Sequence, residues 1–269
     1  MNTLKVALIV QHCIAGNFNK NIESSLCSIS SAAQKGADII VFPEMNLTGY
    51  VAGPDILSLC KPIHKEWTDL FSNQAKNLNM TILVGLAEKT PQKEIYAAHL
   101  VFDPGGSFKA YRKIHTAPAE KKFFTPGHTI PVFESHGFTF GVQLCYDAHF
   151  PELSLAMALK QTDVIFIPHA SPRGSSQEKY ASWIRHLRAR AFDNGVYIAA
   201  CNQTGDNLKG LSFPGISIVI GPDGNVLYKS IDDDEGLHMI TLEKATLNRV
   251  RSHKMKYFLP NRRSDLFNF

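Results

Sequence analysis

Two ten-residue segments of this chain follow the same pattern. Lys35-Gly36-Ala37-Asp38-Ile39-Ile40-Val41-Phe42-Pro43-Glu44 and Lys160-Gln161-Thr162-Asp163-Val164-Ile165-Phe166-Ile167-Pro168-His169 place lysine, aspartate and proline at matching positions. Each follows a helical run, crosses a short loop and becomes a hydrophobic strand running into proline. A helix–loop–strand unit met twice predicts two half-domains built on one plan. Packed sheet to sheet, the halves form an α/β, four-layer α-β-β-α sandwich with two mixed β-sheets. Glu44 and His169 then take equivalent places at the carboxyl ends of their strands, where open α/β sheets bind ligands.

The rest of the chain fits that plan. Ile22, Leu26, Ile29 and Ala33 mark a helix over 19–34, and Trp67, Leu70, Phe71 and Ala75 another over 63–78. Pro151 with Glu152 opens a further helix, and 176–194 is read as helical. Strands are expected over 4–11, 81–87, 196–201 and 237–242. Hairpins turn at Asp103-Pro104-Gly105-Gly106, His136-Gly137 and Gly221-Pro222-Asp223-Gly224. No Gly/Ser/Pro-rich linker interrupts the series, so residues 1–269 are read as one domain. Residues 243–269 form a basic, aromatic tail expected to pack on the domain or on a partner subunit.

Composition narrows the class. Hydrophobic residues make up 44% and charged ones 19%, enough to bury a large core. A formal charge of +4, dispersed along the chain, argues against nucleic acid or an anionic membrane as partner. No apolar run is long enough to span a bilayer, and the N-terminus lacks a signal-peptide pattern. Cys13, Cys27, Cys60, Cys145 and Cys201 are odd in number and widely spaced. That pattern fits reduced thiols in the cytoplasm, with neither a disulfide framework nor a metal site.

Cys145 stands apart from the other four. Phe140, Val142 and Leu144 alternate as in a strand, and Tyr146-Asp147-Ala148-His149-Phe150 then breaks the pattern before the helix at Pro151. A thiol at such a bend sits at the mouth of a cleft, with backbone N–H groups free to face an oxyanion. Glu44 follows an apolar strand, where a carboxylate is costly unless it is paired or acts as an acid or base. Lys113 follows a hairpin strand in Tyr111-Arg112-Lys113-Ile114-His115. A base and a cation suffice to activate a thiol for acyl transfer. A Cys/His dyad with His115, His149 or His169 remains the rival arrangement, and the spacing selects none of the three. Arg185, Arg188 and Arg190 read as a solvated or salt-bridged helix face.

The segments Phe42-Pro43-Glu44-Met45-Asn46-Leu47-Thr48-Gly49-Tyr50, Tyr111-Arg112-Lys113-Ile114-His115 and Gly141 to Glu152 resemble, in order and spacing, the three signatures of the nitrilase superfamily of carbon–nitrogen hydrolases. Arg190-Ala191-Phe192-Asp193-Asn194-Gly195 and Asn202-Gln203-Thr204-Gly205 support the likeness. It implies an α-β-β-α sandwich that dimerises, with Glu44 as general base, Lys113 holding the oxyanion, Cys145 as nucleophile and Glu120 positioning the others. It implies hydrolysis of a small amide through a cysteine thioester, without metal or organic cofactor. Tyr146-Asp147 stands where nitrilases often carry Trp-Glu. This favours amidases or N-carbamoyl amine hydrolases over nitrilases; a catalytically silent binding protein on the same fold is the different-class alternative. Tyr50, Tyr146, His149, His169, Ala170, Ser171 and Asn202 are the candidates for substrate contact. They offer hydrogen bonds more than fixed charge, so a neutral amide or carbamoyl substrate is expected.

Overall fold

The computed structural model describes residues 2–51 and 53–267. The first half runs β1 (Thr3–His12), α1 (Phe18–Gln34), β2 (Ile39–Val41), the short α2 (Ile56–Leu59), α3 (Lys65–Leu78) and β3 (Thr81–Lys89). β1, β2 and β3 are parallel. The antiparallel strands β4 (Ile95–Phe102) and β5 (Phe108–Arg112) extend that sheet. The second half repeats the parallel core. A hairpin of β6 (Phe133–Ser135) and β7 (Phe138–Val142) leads through α4 (Pro151–Leu159) to β8 (Val164–His169), and through α5 (Ser176–Asn194) to β9 (Tyr197–Asp206). β7, β8 and β9 are parallel. Then come β10 (Ser212–Phe213), β11 (Ser217–Ile220) and β12 (Val226–Ser230), with β11 antiparallel to both β9 and β12. β13 (Gly236–Glu243) returns to the first half beside β1, and α6 (Lys244–Arg251) follows it.

The repeated aspartates explain the shared pattern. Asp38 accepts from the Lys5 N–H on β1 at 2.8 Å, and its own N–H reaches the Lys5 carbonyl. Asp163 does the same with Thr139 on β7, at 3.1 Å. The carbonyls of Asp38 and Asp163 accept from Thr81 and Tyr197, the residues that open the next parallel strand. Each aspartate therefore sets the register of three strands. The left-handed turn before each is made by Gly36 (φ 73°) in one half and Gln161 (φ 61°) in the other.

Side chains alternate between two cores. Ala7, Ile9, Ile40, Phe42, Ile82 and Val84 pack against Ile22, Ile29, Trp67 and Phe71 of α1 and α3. Their neighbours Val6, Leu8, Val41 and Leu83 belong instead to a cluster with Val142, Ile165, Ile167 and Ala199 of the other half. That alternation is what a helix–sheet–sheet–helix stack requires. One feature departs from the two separate sheets read from the sequence. β9 runs five residues beyond Cys201, and Gln203 and Thr204 pair in parallel with Gln11 and His12. The two ladders thus join into one curled, continuous sheet. Asn202-Gln203-Thr204 looks like a polar loop, yet all three are buried and bonded inside.

The basic tail begins as helix α6, which the sequence reading did not anticipate. Only Leu247 and Val250 of it are buried apolar residues. Lys244 and Arg251 fasten it to Asp163, and Arg251 also reaches the carbonyls of Thr162 and Gly195. Among the described residues no helix is long and apolar enough to cross a membrane.

Candidate active site

Glu44, Lys113 and Glu120 meet in the interior, 1%, 1% and 5% exposed. Glu44 leaves the end of β2 and Lys113 the end of β5. Lys113 Nζ lies 2.8 Å from Glu44 Oε1 and 3.0 Å from Glu120 Oε2. The second Glu44 oxygen accepts the Ala170 N–H at 3.0 Å, just beyond the end of β8. The equivalent strand ends of the two halves are thus bonded through Glu44. Glu120 is held in turn by the Ala117 N–H at 2.8 Å, and Gln203 donates to the Glu44 carbonyl at 2.7 Å.

One ammonium between two carboxylates sets the electrostatics. Burial pushes the Glu44 carboxyl up to about 7; Lys113 pulls against this and Glu120 adds to it. Burial alone would lower Lys113, but Glu44 and Glu120 together outweigh it and hold it well above its ordinary value. Lys113 stays charged. Two of its three N–H donors serve carboxylates, which leaves one for a ligand. Burial, then the Glu44 carboxylate, push the Cys145 thiol up against the pull of Lys113. The resting thiol is therefore neutral and needs a base.

Cys145 opens a 3-10 turn over Cys145–His149, at φ 42°. A non-glycine residue there costs about 1–2 kcal/mol and persists only where its surroundings over-determine it. Two clamps do so. Arg190 on α5 donates to the carbonyls of Ala148 (3.0 Å) and His149 (3.1 Å). It is buried, not part of a solvated helix face. Asp147, fully buried, is the second clamp. One of its oxygens takes the Leu144 N–H (3.0 Å) and the Tyr111 hydroxyl (2.7 Å). The other takes the His115 N–H (2.8 Å) and meets its Nδ1 (2.9 Å). Tyr111 and His115 bracket Lys113, so Asp147 ties the nucleophile turn to the lysine. The sequence reading treated Asp147 only as a marker of subfamily; its place beside Cys145 was the available signal. Asp147→Asn puts an NH2 against donors, leaving at least one buried group unpaired at about 1–3 kcal/mol. We expect a kcat loss of about tenfold or more and a lower Tm, read by steady-state kinetics and calorimetry.

The other candidates divide. Cys145, His149, His169 and Ser171 line a cleft of about 300 Å³ with Pro172, Arg173, Gly174, Glu178, Lys179, Ser182 and Trp183. Tyr50 is buried behind it, close enough to feel the charges of Glu120, Glu44, Lys113 and Cys145. Tyr146 lines an adjoining cavity of about 480 Å³ with His115 and Phe150. Ala170 and Asn202 are not among the residues that line these two cavities. The Ala170 N–H serves Glu44, and the Asn202 amide is spent on Ser171 and Pro214, so both shape the loop from inside. No candidate histidine hydrogen-bonds the Cys145 thiol among the described residues. His115 is held by Asp147 and stacks on Phe150 at 3.8 Å. His169 donates to the Ile167 carbonyl, stacks on Trp183 at 3.7 Å, and is kept neutral by burial. No group of three or more His, Cys, Asp or Glu side chains among the described residues is placed to hold a metal ion.

Comparison with known proteins agrees with this geometry. The carbon-nitrogen hydrolase family model matches residues 5–252, so the chain belongs to that family. It is 27% identical to an (R)-stereoselective amidase from a Pseudomonas species, covering 92% of this chain and 88% of the relative. It is 29% identical to a nitrilase from Pyrococcus abyssi, covering 93% of each. The crystal structure of a carbon-nitrogen hydrolase from Helicobacter pylori superposes with a TM-score of 0.89 at 27% identity, over 99% of this chain and 97% of that one.

Proposed function

We propose that this protein hydrolyses the C–N bond of a small primary amide through a thioester on Cys145. The observation that carries the reading is the buried Lys113 ammonium shared by Glu44 and Glu120, within electrostatic reach of Cys145. Glu44 takes the thiol proton, and the sulfur attacks the amide carbon. The new oxyanion is held by the spare Lys113 N–H and by the Tyr146 N–H, which opens a turn and lacks an acceptor within it. Glu44 then gives its proton to the departing nitrogen, and ammonia leaves a thioester. Glu44 next removes a proton from water, which attacks the thioester carbonyl. Collapse expels the Cys145 sulfur, which regains the proton from Glu44, and a carboxylic acid is released.

An ammonia-release screen over amides, ureido compounds and nitriles sharing one side chain tests the reaction. Amide turnover is expected. A nitrile preferred by more than tenfold in kcat/KM would overturn the reading, since tenfold is about 1.4 kcal/mol of transition-state binding. The base must be ionised, so kcat/KM should fall as pH drops, with an acid limb near 7 as set by Glu44. A limb near the ordinary glutamate value of 4.5 would remove Glu44 as the base.

A cytoplasmic setting is supported by the free thiols, of which Cys13, Cys60 and Cys201 are buried and unpaired. A single domain is supported by β13 returning from the second half to the first. A homodimer is supported by exposed apolar groups on α5 and the tail, Phe192 and Phe258 among them, and is checked by sedimentation.

A further inference from the structure

The cleft beside Cys145 carries two cations that the reaction above does not use. Lys179, in the first turn of α5, is half-buried and lines the cleft. Its Nζ donates to Ser171 Oγ and to the Pro172 carbonyl, each at 2.8 Å. An ammonium has three donors, so one remains. Among the described residues no carboxylate forms an ion pair with it. Its neighbour Glu178 is occupied by the N-cap: the Ser175 N–H donates to Glu178 Oε2 at 2.8 Å. Arg173 lines the same cleft from the loop, at φ 67°, with its backbone N–H fixed to the Ser212 carbonyl at 2.8 Å. Burial pulls Lys179 down, and the charges of Cys145 and of Glu178, a carboxylate on the same cleft wall, offset this only in part. Deeper in, Lys113 is already outnumbered by two carboxylates, whereas at the cleft wall Lys179 and Arg173 outnumber the single carboxylate Glu178, so a bound anion is favoured there.

We infer that Lys179, assisted by Arg173, binds a carboxylate on the acyl side of the substrate, making a short dicarboxylate monoamide the preferred amide. This rests on the amidase reading. It replaces the neutral substrate expected from composition, because a net charge spread over the whole chain does not report two cations on one loop and helix end.

The test compares succinamate with 4-methylpentanamide, which has the same shape without the charge. Wild type should favour succinamate in kcat/KM by about tenfold to a hundredfold, the range for a hydrogen bond to a charged group. In Lys179→Met the ratio should collapse through KM for succinamate. Lys179→Arg should restore most of it, and Arg173→Gln should reduce it in part. Equal use of the two amides by wild type would overturn the inference. So would a Lys179→Met variant that slows both amides alike, because Lys179 would then only brace the Ser171–Pro172 loop. A second readout needs no turnover. Succinate should protect Cys145 from iodoacetamide in wild type and fail to do so in Lys179→Met, followed by mass spectrometry of the Cys145 peptide. If no amide is hydrolysed but this protection is seen, the reaction assignment fails while the carboxylate site stands. If amides are hydrolysed and succinate gives no protection, the carboxylate site fails alone.

Discussion

Replacing Cys145 with alanine should abolish turnover and leave the protein folded. In the proposed reaction the thiol supplies the atom that bonds to the substrate, and no other cysteine among the described residues lines its cleft. Removing a nucleophile from a set of groups that act together costs on the order of 10⁴-fold or more in kcat. The fold should tolerate the change, because Asp147 and Arg190 hold the turn through backbone atoms of Leu144, Ala148 and His149 and make no use of the sulfur. Alanine still occupies the left-handed conformation, so the variant keeps the wild-type strain and its Tm should shift by only a few degrees. Denaturing mass spectrometry of wild type quenched during turnover should find the acyl group on the Cys145 peptide. Turnover by the alanine variant within a hundredfold of wild type, or an acyl group on another residue, would end the assignment.

Lys113→Ala and Glu44→Gln should fail for different reasons and with different stability signatures. On the proposed mechanism, loss of Lys113 removes an oxyanion donor, a change that costs about 10²–10³ in kcat. It also leaves Glu44 and Glu120 facing each other in the interior without a cation. Breaking a buried ion pair by removing one partner costs about 3–5 kcal/mol, and one of the two carboxyls must then take up a proton. We expect a large drop in Tm that eases at acidic pH, as the carboxyls become neutral. Glu44→Gln removes the proposed base, and a general base contributes about 10²–10⁴ in rate. It leaves Lys113 paired with Glu120 alone, one cation to one anion, so its Tm should fall less. Near-wild-type kcat in either variant would remove that residue from the machinery. Equal melting of the two variants across pH 5–8 would contradict the charge balance argued for the site.

The sequence by itself determined the order of most elements, the two-fold plan and the three groups proposed to react. It could do so because each of those features is local. Alternating apolar residues mark a strand, helical spacing marks α1, α3 and α5, and a functional group stranded after an apolar run is conspicuous at Glu44 and Cys145. The likeness to carbon–nitrogen hydrolases then joined these marks into one site and added Glu120, which no local pattern would have chosen.

Only the tertiary structure decided what those groups touch. Glu44 is 69 residues from Lys113 and 126 from Ala170 along the chain, yet it is bonded to both. Asp147 looks like one more polar residue in a bend until Tyr111, His115 and Leu144 converge on it. Asn202, Gln203 and Thr204 read as a loop because polar side chains normally prefer water; here they are buried because the carbonyls of Ser171, Pro214, Glu44 and Asp233 take their donors, with Gln203 Oε1 left without a partner among the described residues. The same holds for charge. The sequence gives Lys179 and Arg173 as two cations among many, and only folding sets them on one wall of the cleft that holds Cys145. A polar group's role depends on the partners that burial leaves it, and those partners are assembled only when the chain closes on itself.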